Sequence, residues 1–208
     1  MTNTDTWLPL FPLNTVLFPQ GVLPLKVFEA RYTDMIRDCM KKETPFGVVL
    51  IKSGNEVGSA AEPESIGTLA YIRQWDMENL GVLLLRTEGG ARFRILKTRV
   101  LDDKRLEAQV EMLAPDETPP VSDIHVKCAK TLKIVMDEIN AKGKAEQGTD
   151  FDSPFAQPPK LDDAGWVANR WCEILPIPLK ARQKLMELED VQSRLSVVHK
   201  YLQQHKIV

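Results

Sequence analysis

The chain has 208 residues, 43% of them apolar, and carries 27 Lys and Arg against 29 Asp and Glu. This length suits one domain, or one domain with an appended subdomain, and the apolar fraction is sufficient for a hydrophobic core. The net charge of -2 argues against a nucleic acid or an anionic membrane as the partner, because such partners usually require a positive excess. Polypeptides or small molecules are the expected partners.

The three cysteines indicate a reducing compartment. Cys39, Cys128 and Cys172 are odd in number and form no C-x-x-C pair, which argues against a disulfide framework and against a zinc site. The first residues lack the charged start and apolar run of a signal peptide, and no run approaches the ~18 apolar residues of a membrane span. We therefore expect a cytoplasmic protein with no metal and no cofactor.

The N-terminal stretch "LPLFPLNTVLFPQGVLPLKVFEARY" at 8–32 predicts short strands followed by a helix. Proline removes a backbone donor and breaks helices, so this proline-punctuated segment must be extended, with strands around 7–10 and 22–28. From Glu29 onward, "EARYTDMIRDCMKKE" places its apolar residues on one helical stripe. A strand therefore runs directly into an amphipathic helix near 29–42.

The middle of the chain is predicted to be β-rich. Strands are expected at 46–51, 67–75, 80–87, 91–100 and 106–113, because these segments are short, rich in branched residues and separated by Gly, Asn, Asp or Pro. Such close spacing leaves no room for crossover helices. Gly89-Gly90 predicts a tight hairpin, so the sheet should be largely antiparallel and should curl into a barrel.

Beyond Pro115 the sequence predicts helices. The connector "APDETPPVS" precedes a helical pattern, and 142–160 is rich in Gly, Pro and charge, which predicts a long surface loop. Asp162-Asp163 suits the start of the next helix. In the last helix, apolar residues at alternating three- and four-residue steps fit either a small bundle or an intermolecular coiled coil. The domains are placed at 1–117, β-rich with one helix, and 118–208, helical.

Three sequence blocks resemble the N-terminal, substrate-binding domain of Lon proteases, which also occurs as a stand-alone bacterial protein. They are the 8–32 stretch quoted above, "EGGARFRI" at 88–95 and "WCEILPIPLKARQKLMELEDVQSRL" at 171–195. The resemblance implies an α+β fold, with a β-rich PUA-like pseudo-barrel followed by an α-helical bundle. It also implies a stand-alone member without the ATPase and protease modules of a complete Lon protease.

Catalytic motifs are not expected. No G-x-x-x-x-G-K-[ST] phosphate loop occurs, since Gly143-Lys144 lacks the upstream glycine and the hydroxyl, and no serine-lysine dyad is recognised. His125, His199 and His205 form no H-E-x-x-H and are expected to face solvent. Cysteines on the apolar stripe of a helix are more often inert core residues than nucleophiles. We expect neither ATP hydrolysis nor casein hydrolysis.

Five residues of the resembling blocks are assigned to the framework. Glu29 and Arg31 could contact a ligand, but a structural network with Arg92 or Arg94 is the preferred interpretation. The framework set is Glu29, Arg31, Tyr32, Arg92 and Phe93.

The resemblance implies binding of unfolded or exposed-hydrophobic polypeptide. The candidate anchors are apolar side chains in otherwise polar segments, namely Trp75, Met77, Phe151 and Phe155, although each could instead fold back as a satellite core. A separate ATPase or protease would be a possible partner. The alternative is an RNA- or nucleotide-binding module, favoured by the PUA-like fold and the basic segment 92–105 but opposed by the net charge and by strand alternation.

Overall fold

The computed structural model describes residues 7–58, 60–79 and 81–208. The chain divides into two compact units, Met1–Pro115 and Asp116–Val208. The boundary between 117 and 118 remains a prediction about independently folding domains. The first unit contains β1 (Leu8–Leu13), β2 (Val22–Val27), α1 (Ala30–Lys42), β3 (Phe46–Ser53), β4 (Glu62–Pro63), β5 (Ile66–Asn79), β6 (Val82–Val100) and β7 (Leu106–Met112). The second contains α2 (Val126–Gln147), α3 (Ala164–Ile174), α4 (Leu179–Glu187) and α5 (Val191–Gln204).

The strands of the first unit close into a barrel. Their order is β1-β7-β6-β5-β3, and a parallel pairing of β1 with β3 completes the ring. The other ring pairings are antiparallel, β4 adds to β3, and β2 pairs with β6. Helix α1 contributes Tyr32, Met35 and Ile36 to one buried cluster, and Phe93 belongs to another with Leu10 and Leu106. The predicted fold class, a β-rich pseudo-barrel followed by helices, is confirmed.

The predicted hairpin at Gly89-Gly90 is wrong. One strand of 19 residues, β6, runs through both glycines, and the connection to β5 lies at residues 79–82, where Gly81 has a φ of 88°. Glycine is needed inside β6 for a different reason, which is close approach. A Cβ on Gly89 would lie 2.1 Å from the carbonyl oxygen of Phe18, and one on Gly90 would lie 2.4 Å from the ring of Tyr71.

Arg31 connects the start of α1 to two loops through hydrogen bonds. Its guanidinium donates to the carboxylate of Glu29 (3.1 Å) and to the carbonyl oxygens of Lys104 (3.1 Å) and Glu56 (3.3 Å), and it stacks over the ring of Tyr32. The predicted partners Arg92 and Arg94 are therefore replaced by Glu29 and two backbone carbonyls. Arg92 is itself buried, and Arg94 donates to Glu111 (3.1 Å) on β7.

Helix α3 begins where the sequence predicts. Its N-cap, Asp163, accepts hydrogen bonds from the backbone N–H groups of Gly165 (2.8 Å) and Trp166 (3.1 Å). The apolar stripe of α5 is buried within the chain, since Leu195, Val198 and Leu202 are each at most 1% exposed. This burial favours the bundle over the intermolecular coiled coil.

The predicted loop 142–160 is too long. Helix α2 continues to Gln147 and a 3-10 turn covers Gly148–Asp150, so only the remainder is irregular. Gly143 lies within α2, where the ring of Phe151 packs against it, and a Cβ there would come within 1.9 Å of that ring.

A buried arginine organises the helical unit. The side chain of Arg194 on α5 is fully buried, and its guanidinium donates to the Asp116 carboxylate (2.6 Å) and to the Asn169 side-chain oxygen (2.7 Å). It also donates to the backbone carbonyls of Leu185 (3.0 Å) and Leu188. The network joins three segments that are distant in sequence.

Candidate functional site

Strands β2, β6 and β5 form a three-stranded ribbon, with β6 in the centre. Directly opposed residues of antiparallel strands point to the same face. Leu85 faces Trp75 on β5, and Leu83 faces Met77. Leu83 and Leu85 are buried in the core cluster with α1, whereas Trp75 is 54% and Met77 47% exposed. The two side chains therefore extend the apolar face of the ribbon beyond the core and into solvent.

An irregularity in β5 gives Trp75 and Met77 this orientation. Ile72 pairs with Thr87 and Gln74 with Arg86, so Arg73 is an extra residue in the ladder. Strict alternation from Ile72 would turn Gln74 and Asp76 toward the apolar face. The extra residue shifts the alternation by one, and the polar side chains of β5 take the opposite face.

The opposite face of the ribbon is charged. Lys26 on β2 forms an ion pair with Glu78 on β5, and Arg73 donates to Glu88 (2.8 Å) on β6. The ribbon is thus amphipathic, and its apolar face contains both of the predicted anchors from the 75–77 segment.

The two other predicted anchors lie elsewhere. Phe155 is 5% exposed and is therefore buried in the helical unit, so it is not available as an exposed anchor. Phe151 is half-buried and packs on Gly143. Both follow the satellite-core alternative, because the segment after α2 folds back onto that helix.

Each unit also contains a surface cleft. The cleft in the barrel unit has a volume of about 790 Å³ and lies between α1 and the end of β7. Its walls are partly apolar and partly charged and include Trp7, Met35, Lys42, Leu69, Arg105 and Met112. One in the helical unit, about 530 Å³, is almost wholly apolar and lies along α4 and α5; its lining includes Ile177, Ala181, Leu185, Val197 and Tyr201. Sequence patterns predict neither cleft, since each depends on how the elements around it pack against one another.

The cysteine thiols are poor nucleophiles. Burial raises the pKa of the Cys172 thiol to about 12 and that of the Cys128 thiol to about 11, and burial also raises the pKa of Cys39. Such thiols remain protonated at neutral pH, and the thiolate is the reactive form. The sequence-based interpretation of inert core cysteines agrees with this environment.

The histidines do not all face solvent, contrary to the prediction. His125 is 3% exposed, its Nδ1 lies 3.0 Å from the Ser122 hydroxyl, and its ring contacts that of His199 edge to face at 5.1 Å. Burial, followed by the charge of His199, lowers the pKa of His125. His205 is exposed, as expected. The described part of the chain contains no group of His, Cys, Asp and Glu that could hold a metal ion.

The basic segment 92–105 is largely neutralised by carboxylates. Arg99 donates to Glu107 (2.6 Å), and Arg105 pairs with Asp103 (2.6 Å) and with Asp38 (3.4 Å). These pairs leave no continuous cationic stripe for a phosphate backbone to follow. Among the described residues, no helix is both long and apolar enough to cross a membrane.

Comparisons with known proteins agree on one family. The family described as the ATP-dependent protease La (LON) substrate-binding domain matches residues 7–204. The crystal structure of a Lon N-terminal domain protein from Xanthomonas campestris superposes with a TM-score of 0.72 at 33% identity, over 93% of this chain and 96% of that one. The N-terminal domain of a Mycobacterium avium complex Lon protease shares the fold, with a TM-score of 0.57 at 17% identity over 96% of this chain and 100% of that one.

Curated relatives are much longer proteins. A Lon protease from Anaeromyxobacter dehalogenans is 27% identical over 92% of this chain but only 22% of its own length. A Lon protease from Aquifex aeolicus is 30% identical over 94% of this chain and 24% of its own length. The chain thus spans about a quarter of the length of the curated relatives that it matches.

Proposed function

The chain belongs to the family of LON substrate-binding domains, and from this premise we propose that it is a non-catalytic module that captures unfolded or exposed-hydrophobic polypeptide through Trp75 and Met77. The supporting observation is the apolar face of the β2-β6-β5 ribbon, where both side chains are about half exposed. Exposed apolar side chains that adjoin one another as a patch can mark an interaction site, whereas single ones scattered over a surface are normal. A methionine beside a tryptophan also suits a surface that must adapt to many sequences.

The expected affinity is modest. Burying a large apolar side chain completely contributes on the order of 2 to 3 kcal/mol. Trp75 is 54% and Met77 47% exposed. About half of each side chain therefore remains to be buried by a client, worth roughly 1 kcal/mol per anchor. Loss of both anchors should weaken binding by roughly 30-fold.

The test is fluorescence anisotropy with a labelled, reduced and unfolded protein. The variant Trp75→Ala with Met77→Ala is compared with Leu96→Ala with Val100→Ala. This matched control removes two apolar side chains of β6 that are 61% and 56% exposed but lie outside the ribbon's apolar face. We expect weaker binding only for the first variant. Equal binding by both variants would contradict the proposal.

The competing interpretation, RNA or nucleotide binding, is tested in the same assay. Phosphate binding releases counterions, so RNA affinity should fall steeply between low and moderate salt, whereas apolar capture should persist. Tight binding of single-stranded RNA with a steep salt dependence, and no binding of unfolded protein, would favour the nucleic-acid role. The ion pairs of the basic segment argue against that outcome.

We propose that a separate ATPase or protease carries out any ATP hydrolysis or peptide cleavage and acts on the captured polypeptide. The buried, protonated cysteines suit a reducing compartment, and we propose that the protein works in the cytoplasm. Recovery of such an enzyme together with client polypeptides in a pull-down from cytoplasmic extract, lost with the Trp75 and Met77 double variant, would support this arrangement.

A further inference from the structure

The two outer edges of the ribbon differ in their protection. Exposed strand edges invite pairing with another chain, and proteins block them with proline and lysine. The edge strand β2 carries exposed Pro24 and Lys26. Strand β5 pairs with β3 only up to Ala70, and between Tyr71 and Glu78 its sole strand partner among the described residues is β6. Beyond the extra residue at Arg73, this part of β5 contains neither proline nor lysine, so its edge is less protected there than the edge of β2.

The backbone at this edge has a donor that the ribbon does not use. The N–H of Met77 donates to the side chain of the preceding Asp76 (2.7 Å) rather than to β6. Along a strand, residues two apart direct their backbone groups to the same edge, so the backbone groups of Trp75 and Met77 both face outward. A client strand could replace the Asp76 side chain as the acceptor for the Met77 N–H.

The side chains of the edge favour a particular client pattern. Trp75 and Met77 lie two residues apart on the apolar face, and Gln74, Asp76 and Glu78 lie on the other face. Glu78 already pairs with Lys26 of β2, so Asp76 is the carboxylate that can meet a basic side chain of a client. Opposite charges on neighbouring strands stabilise a sheet, and like charges destabilise it. A segment that alternates apolar residues with lysine or arginine would match both faces at once.

We propose that the β5 edge binds one extended client segment as an added strand, with apolar side chains against Trp75 and Met77 and a basic side chain beside Asp76. Backbone hydrogen bonds then supply affinity that does not depend on sequence, while the alternation supplies selectivity. The inference rests on the proposed function, since it specifies how the same surface holds a polypeptide.

The test uses short labelled peptides of alternating leucine and lysine. One peptide has free amides, a second is N-methylated on the leucine amides, and a third on the lysine amides. In an added strand, only one of these two amide sets faces β5. We expect one methylated peptide to lose at least about tenfold in affinity, since several backbone hydrogen bonds are removed, and the other to bind nearly as well as the free peptide.

A charge exchange locates the binding on β5. Asp76→Lys should reverse the preference of the protein, from the leucine-lysine peptide to a leucine-glutamate peptide, whereas Asp102→Lys, at an exposed turn, should leave the preference unchanged. Equal binding of the three amide patterns, or an unchanged preference in Asp76→Lys, would overturn strand addition while leaving capture of unfolded protein intact. Failure of the wild-type protein to bind both the peptides and the unfolded protein would overturn the proposed function as well.

Discussion

Replacing Arg194 by methionine should severely destabilise the helical unit. The substitution keeps an apolar side chain of similar length but removes a fully buried guanidinium that donates to Asp116, Asn169 and two backbone carbonyls. Removing one partner of a buried ion pair typically costs 3–5 kcal/mol, because the other charge loses its compensation; we expect a loss of about 4 kcal/mol. Domains have only ~5–15 kcal/mol of stability in total, so a large fraction of it would disappear.

The assay is urea denaturation followed by circular dichroism at a helical wavelength. Asp116→Asn alone and the double variant Arg194→Met with Asp116→Asn complete a double-mutant cycle. The double variant should be destabilised by less than the sum of the two single changes, because it no longer buries an uncompensated carboxylate. A loss below ~1 kcal/mol in Arg194→Met, or strictly additive effects, would refute the assignment of the network as the organising contact of this unit.

Two further predictions concern titration and thiol reactivity. The pKa of His125 is lowered in the folded state, so its contribution to stability is full above the ordinary value of about 6.5 and is lost as the pH falls through the folded value. In wild-type protein the denaturation midpoint should fall between neutral and mildly acidic pH, and His125→Gln should reduce that fall. The control His205→Gln, at an exposed position, should not. Identical plots of midpoint against pH for the two variants would rule out the buried ring as the cause. The three buried cysteines should react with a thiol reagent only as fast as the protein opens, and burst labelling without denaturant would show that a thiol is accessible.

Local signals in the sequence predicted local structure well. The transition from strand to helix near Glu29 and the cap of α3 at Asp163 depend on neighbouring residues, and both occur as expected. For Trp75 and Met77 the polar surroundings left two alternatives open, an exposed anchor or a satellite core, and the structure has both side chains exposed. Their common face was not predicted, because it depends on the extra residue at Arg73, which only the pairing of β5 with β6 reveals.

The errors arise from contacts between residues far apart in sequence. Gly89-Gly90 resembled a turn, but it marks the close approach of Phe18 and Tyr71, and the true turn signal was the glycine at 81. A nearer contact misled the prediction at Gly143, where the ring of Phe151, eight residues further on, requires a small residue within a helix. The burial of His125 depends likewise on its pairing with His199, which is 74 residues further along the chain. Amino-acid composition and hydrophobic periodicity do not reveal such contacts.

The length of β6 has a mechanical consequence for any client held on the ribbon. At about 3.3 Å per residue, its 19 residues extend roughly 60 Å, from the β5-β6 turn into the barrel wall beside β7. Force applied to a client along the strand direction would load the hydrogen bonds between the client and β5, and through them the β5-β6 ladder, in shear, so that many must break together. Force applied across the strands would break them one at a time from the turn. An enzyme that pulls clients from this module would therefore meet high resistance in one direction and low resistance in the other.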